Sequence, residues 1–249
     1  MFHLLAIGNS FSEDATYYLH QIGEAAGIPN QVVNLHIGGC SLERHWRNME
    51  SNAREYQFQH NGVKTERYLS VRDALRETRW DAIVTQQASH DSGWQDTYEP
   101  FLSLMLDELR REAPEAKMYL HETWAYEADS THPNFMRYHR DQQEMFFRVR
   151  DAYRAMADKH GLPLIPSGEM LQRLRATPYF ADGKRAVCRD GFHVHYLYGR
   201  YALGCMWAKT LWGVTLEGNA YVPGTPFLPF EEADGGLILA IQRLADAMA

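Results

Sequence analysis

Two rhythms of apolar and polar positions alternate along the chain. Short, almost unbroken apolar runs recur at residues 2–7 (FHLLAI), 31–37 (QVVNLHI), 81–85 (DAIVT), 117–121 (KMYLH) and 162–165 (LPLI). Runs of this length predict strands buried on both faces. Helical spacing fills the intervals. Residues 14–26 set Ala15, Tyr18, Leu19, Ile22 and Ala26 on one face, with Gly27 as a stop. Residues 70–78 open on a Ser70/Asp73 capping pattern, residues 98–112 and 133–160 follow, and Gly161 closes the last of these. A final helical pair is predicted near residues 195–211 and 231–248. Residues 55–68 (EYQFQHNGVKTERY) interrupt the rhythm, and their central Asn61-Gly62 predicts a small inserted β-hairpin.

Strands alternating with helices predict an α/β fold, a three-layer α/β/α sandwich around a central parallel sheet of about five strands. With no repeat, linker or low-complexity stretch, residues 1–249 read as a single domain.

Composition narrows the partners. A net charge of −7 disfavours nucleic acid and anionic membrane surfaces. No run approaches the roughly 18 apolar residues of a membrane span. The first residues lack a basic segment followed by an apolar core and a small-residue cleavage site, so a cytoplasmic location is expected. The three cysteines, Cys40, Cys188 and Cys205, have no paired spacing, which points to a reducing compartment rather than to disulfides or structural zinc.

Open α/β sheets bind ligands beyond the carboxyl ends of their strands. In this chain those ends carry Gly8-Asn9-Ser10-Phe11-Ser12, then Gly38-Gly39-Cys40-Ser41, then Gln86-Gln87-Ala88-Ser89-His90, then His121-Glu122-Thr123-Trp124. A late block, RDGFHVH, contains Asp190-x-x-His193. Three-residue spacing on a turn lets a carboxylate orient an imidazole, and that imidazole can serve as base for a serine nucleophile. Ser10 is the candidate nucleophile, with Ser12 as a cap or supporting residue. The backbone N–H groups of Ser10 and Gly39 are candidate oxyanion donors, each able to supply on the order of 3 kcal/mol. Every piece also has a purely structural reading as a cap, a turn or a core aromatic. The order of the blocks favours chemistry.

The whole chain resembles the SGNH (GDSL-like) hydrolase superfamily, which has a flavodoxin-like α/β fold. GNSFS resembles its Gly-Asp-Ser-Leu block, NLHIGGCS its second block and RDGFH its last. The set GNSFSEDA, QQASHDSG, HETWAY and DGFH…GRYALG is similar to the DUF4886-type branch. The resemblance implies a Ser10–His193–Asp190 triad acting through an acyl-enzyme without metal or other cofactor. It also implies oxyanion donors from Ser10, Gly39 and a third side chain, normally an asparagine in the third block. QQASHDSG has no asparagine; Gln87 offers the same amide, with Ser89 and His90 as alternatives. Ser89, His90, Trp124 and His195 are the candidate substrate contacts, and the expected rim includes His36, Glu43, His45, Trp46, Trp94, His121 and Tyr126. Such aromatic and hydrogen-bonding groups fit a short-acyl ester, foremost an acetyl ester, on a carbohydrate.

Two rival readings remain. A metal-dependent phosphoesterase could draw ligands from Asn9, His90, Asp91, His121, Asp190, His193 and His195. A non-catalytic carbohydrate-binding member of the same fold would keep the sheet and lose the chemistry.

Overall fold

The computed structural model describes residues 1–248; residue 249 of the expected domain lies outside them. Seven strands form one sheet: β1 (Phe2–Gly8), β2 (Asn30–His36), β3 (Tyr56–His60), β4 (Val63–Leu69), β5 (Ala82–Thr85), β6 (Lys117–His121) and β7 (Leu164–Ile165). Their order is β4-β3-β2-β1-β5-β6-β7. The five strands expected from the apolar runs are the five parallel ones, β2-β1-β5-β6-β7. Leu4, Leu5, Ala6 and Ile7 of β1 are wholly inaccessible, which explains why the run is solid rather than alternating. The expected hairpin is β3–β4. It joins the sheet edge antiparallel to β2 and adds two strands to the five parallel ones, so the sheet is mixed and seven-stranded.

Nine α-helices among the described residues flank the sheet: α1 (Ser10–Thr16), α2 (Leu19–Ala25), α3 (Leu42–Ser51), α4 (Val71–Leu75), α5 (Phe101–Glu112), α6 (Gln142–His160), α7 (Ser167–Arg175), α8 (Tyr198–Trp212) and α9 (Gly235–Asp246). Helix α8 is buried from Tyr198 to Ala208 and packs against α1, α2, α7 and α9. Two helix expectations need correction. The helix expected over residues 14–26 begins earlier, at Ser10, because the Asn9 side chain caps it by accepting from Phe11 N–H, and it breaks at Tyr17–Tyr18. Residues 133–160 are a 3₁₀ turn (Pro133–Tyr138) and then α6, separated where His139 and Arg140 adopt left-handed backbone. Helices α3 and α7 answer to no expected element.

Sheet order places the crevice. Strand β1 pairs with β2 on one side and β5 on the other, so the chain's crossovers diverge there and leave an opening beyond the strand ends. The loops carrying Ser10, Gly39 and Ser89 all emerge at that opening.

Candidate active site

Ser10 opens α1 directly after β1, where the first N–H groups of a helix have no acceptor within it. Its Oγ lies 2.9 Å from His193 Nε2, across 183 residues of sequence. On the other side of the ring, His193 Nδ1 lies 2.7 Å from Asp190 Oδ2. A carboxylate only accepts, so Nδ1 carries the proton and Nε2 accepts from the serine hydroxyl. Asp190 Oδ1 also accepts the N–H of His193 (2.7 Å) and of Phe192 (3.2 Å), which folds the Asp-x-x-His turn onto itself. Burial pushes the Asp190 carboxyl up, but the hydrogen bonds from the His193 ring and these amides outweigh it, and the net shift is downward. Asp190 therefore stays charged.

The turn is held from three directions. A short antiparallel bridge, Cys188 to Val194, forms its stem. Trp124 Nε1 donates to Phe192 O at 2.8 Å, and the Trp124 indole stacks flat on Phe11 with ring centroids 3.9 Å apart. Arg189 donates to both oxygens of Asp14 (3.0 and 3.2 Å), and Arg200 Nε donates to Asp14 Oδ1 at 2.8 Å. Asp14 lies on α1 one turn beyond Ser10 and is 1% exposed, so this buried charge cluster ties α1, which carries Ser10, to the turn that carries His193.

Behind Ser10 runs a buried polar chain. Gln86 Nε2 donates to Asn9 Oδ1 (2.9 Å), and His121 Nδ1 lies 2.5 Å from Gln86 Oε1. His121 Nε2 lies 2.9 Å from Ser167 Oγ. Burial pushes the His121 ring down to about 3, so it is neutral, donating through Nδ1 and accepting through Nε2. Ser12 Oγ sits 2.8 Å from both Asn9 O and Asn34 Oδ1, which makes it a brace of the loop, as expected of a cap or supporting residue.

Ser10, Gly39, Ser89, His90 and His193 line one open cleft of about 450 Å³, within the range of small-ligand sites. Gly39 takes a left-handed backbone (φ 62°), which bends the loop after β2 into that space. Phe192 and His132 supply the aromatic wall, packed edge to face at 4.9 Å.

Several expected residues lie elsewhere. Gln87 is not an oxyanion donor: its amide nitrogen donates to Thr97 O and Oγ1, and its oxygen accepts from Leu42 and Ala88 N–H, so it braces loops below the cleft. Trp124 is fully buried and supports the turn instead of touching ligand. His195 stacks on Tyr198 and lies 3.9 Å from Glu231, outside the cleft. Of the wider rim, His36 faces the cleft, whereas His45, His121 and Tyr126 are buried. Residues the sequence did not single out, Glu13, Lys64, His132, Arg189 and Phe192, complete the wall. Of the residues the rival phosphoesterase reading would need as metal ligands, His121 is engaged with Gln86 and Ser167 and His195 lies outside the cleft. Among the described residues no three His, Cys, Asp or Glu side chains converge to hold an ion. No described helix is long and apolar enough to cross a membrane.

The model of a family described as "Domain of unknown function (DUF4886)" matches residues 3–227. A solved DUF4886 family protein from Bacteroides uniformis is 36% identical, the superposition covering 99% of this chain and 93% of that one with a TM-score of 0.90. A Slackia heliotrinireducens protein proposed to be an SGNH hydrolase is 22% identical, covering 84% of this chain and 98% of that one at a TM-score of 0.58. An acetylxylan esterase from Geobacillus stearothermophilus is 15% identical, covering 90% and 97% at a TM-score of 0.58. The last two likenesses are of fold, the SGNH-type α/β architecture. No curated protein matches.

Proposed function

This chain belongs to the DUF4886 family, and we propose that it is a serine esterase that removes short acyl groups, acetyl foremost, from carbohydrates. The observation that carries the reading is the continuous hydrogen-bonded path from Ser10 Oγ through the His193 ring to Asp190, 2.9 and 2.7 Å at its two links.

Each step follows from that path. His193 Nε2 takes the hydroxyl proton as Ser10 Oγ attacks the ester carbonyl carbon, and the carbonyl π pair moves onto oxygen. In this reading the Ser10 and Gly39 N–H groups are the oxyanion donors, each contributing on the order of 3 kcal/mol to the barrier reduction. Asp190 stabilises the imidazolium without taking its proton. His193 then returns that proton to the leaving sugar oxygen as the tetrahedral intermediate collapses to an acyl-Ser10. Water repeats the cycle with His193 as base, releasing the carboxylic acid and free Ser10. The third block contributes Ser89 and His90 to the wall in place of an amide.

The short acyl group and sugar follow from the wall. It offers the Phe192 face, imidazoles and an ion pair, and among its described lining residues only Phe11 and Phe192 are large and apolar, which gives a fatty chain little to lie on. Acetylxylan esterases share the fold, which is consistent with the choice. The test is hydrolysis of p-nitrophenyl acetate, butyrate and octanoate and of acetylated xylo-oligosaccharides, by the native protein and by Ser10→Ala. Acetate turnover that exceeds octanoate turnover and vanishes in Ser10→Ala is expected. Preference for octanoate would refute the substrate class, and full activity in Ser10→Ala would refute the mechanism.

A further inference from the structure

One end of the cleft holds a charged cluster that takes no part in the steps above. Glu13 follows Ser10 by three residues on α1, so both side chains project to the same face of the helix. Its carboxylate accepts from Gln59 Nε2 at 3.0 Å, and lies 3.0 Å from Lys64 Nζ and 3.4 Å from His36 Nε2. Burial pushes the Glu13 carboxyl up, but the hydrogen bonds from Gln59 and Lys64 and the Lys64 charge help to outweigh it, and the net shift is downward. Burial also lowers His36, against the pull of Glu13. The cluster is thus a carboxylate, an ammonium and a neutral imidazole, with no net charge.

The hairpin exists in the right place because of its turn. Gly62 has φ 81°, and a Cβ there would lie 2.2 Å from the Tyr17 carbonyl oxygen, so only glycine lets the turn rest against the end of α1. Lys64 follows two residues later and is carried over Glu13. Gln59, on the neighbouring strand, accepts from Asn34 Nδ2 at 2.7 Å, and Asn34 in turn meets Ser12 behind the nucleophile. Hydrogen bonds thus join the cluster to α1 through Gln59, Asn34 and Ser12.

Its chemistry selects a ligand. The Lys64 side chain is 58% exposed and spends one of its three N–H bonds on Glu13, leaving donors for the cleft. A carboxylate, an ammonium and an imidazole side by side present acceptors and donors together, matching neighbouring hydroxyls that each donate and accept. An anionic ligand would have to compete with Glu13 for Lys64, and a hydrocarbon chain would strip water from the pair without replacing its hydrogen bonds.

We propose that Glu13, His36 and Lys64 form a subsite for the vicinal hydroxyls of a neutral sugar, so that the β3–β4 hairpin is the specificity element of the cleft. The subsite rests on the esterase reading for the placement of the ester, whereas its binding test does not. Two measurements decide it: the ratio of kcat/KM for acetylated xylo-oligosaccharides to that for p-nitrophenyl acetate, and calorimetric binding of xylotriose to the Ser10→Ala protein. Lys64→Met lowers the ratio about tenfold, mainly through KM, and weakens xylotriose binding in the Ser10→Ala background by a similar factor, as loss of one charge-assisted hydrogen bond requires. Lys64→Arg, which keeps charge and donors, retains most of both. A ratio and a binding constant that Lys64→Met leaves unchanged overturn the subsite, as does a protein that binds no xylotriose. If no ester is turned over, the esterase reading fails by itself, and xylotriose binding alone decides the subsite.

Discussion

Replacing Glu122 by glutamine isolates the energetics of one buried carboxyl. Glu122 follows β6 and is 1% exposed. Its Oε1 accepts the N–H of Glu169 at 2.8 Å, holding the first turn of α7, while Oε2 is buried without a partner among the described residues. Burial dominates its titration, and although the Glu169 amide and nearby arginines oppose it, the carboxyl is pushed from 4.5 up to about 7. A carboxyl raised in the folded state favours folding fully below its unfolded value, and that contribution is lost as pH climbs toward the folded value. The displacement from 4.5 to about 7 is worth roughly 3 kcal/mol at about 1.4 kcal/mol per pH unit. Glutamine keeps the acceptor for Glu169 N–H and cannot ionise. Urea unfolding of both proteins at pH 4 and pH 8 is the assay, since other titrating groups cancel in the difference. The stability of Glu122→Gln relative to the native protein should rise by about 3 kcal/mol between the two conditions. A difference that does not move with pH would refute the assignment of burial as the cause.

Further outcomes follow from the same contacts. Asp190→Asn should lower kcat for p-nitrophenyl acetate about 10³- to 10⁴-fold, because the imidazole loses its orienting acceptor. Its side chain is 42% exposed, so thermal unfolding should change little; a kinetic loss below tenfold would detach Asp190 from the chemistry. Asp14→Asn leaves Arg200 buried without its counter-charge and should cost about 3–5 kcal/mol in urea unfolding, with kcat falling more than KM rises as the His193 turn loosens. Native-like stability of that variant would contradict the charge cluster. Gly62→Ala should destabilise by at least about 2 kcal/mol, since the new methyl meets a backbone carbonyl and the backbone is left-handed. A loss under about 0.5 kcal/mol would show that the hairpin turn is free to shift.

The central sheet was legible because its strands are buried on both sides, which leaves an unbroken apolar signature, and the hairpin because Asn61-Gly62 fits a tight turn. Helix α3 was hidden: its inward face is Leu42, His45, Asn48 and Met49, and a buried histidine and asparagine erase the apolar period. Tyr17–Tyr18 continued the helical spacing of α1 into α2, so the break between them left no trace in the pattern. In the site, Ser10 and the Asp190/His193 turn stood out because strand-end position and three-residue spacing are local features. Gln87 misled because an amide carries no mark of its partner. Thr97 and Leu42 claim it, and both are brought near only by the fold. Lys64 was invisible for the same reason, since its place over Glu13 depends on the register of β3 against β2 and on where the turn lands.

Topology also decides when the nucleophile can act. Ser10 and the imidazole that lies against it are 183 positions apart in the chain, so synthesis of the first precedes synthesis of the second by most of the fold. Between those moments the hydroxyl has no imidazole beside it and is an ordinary alcohol. Closing so long a loop is entropically costly, so under the proposed mechanism the serine is activated only once the strands and helices between the two residues have packed.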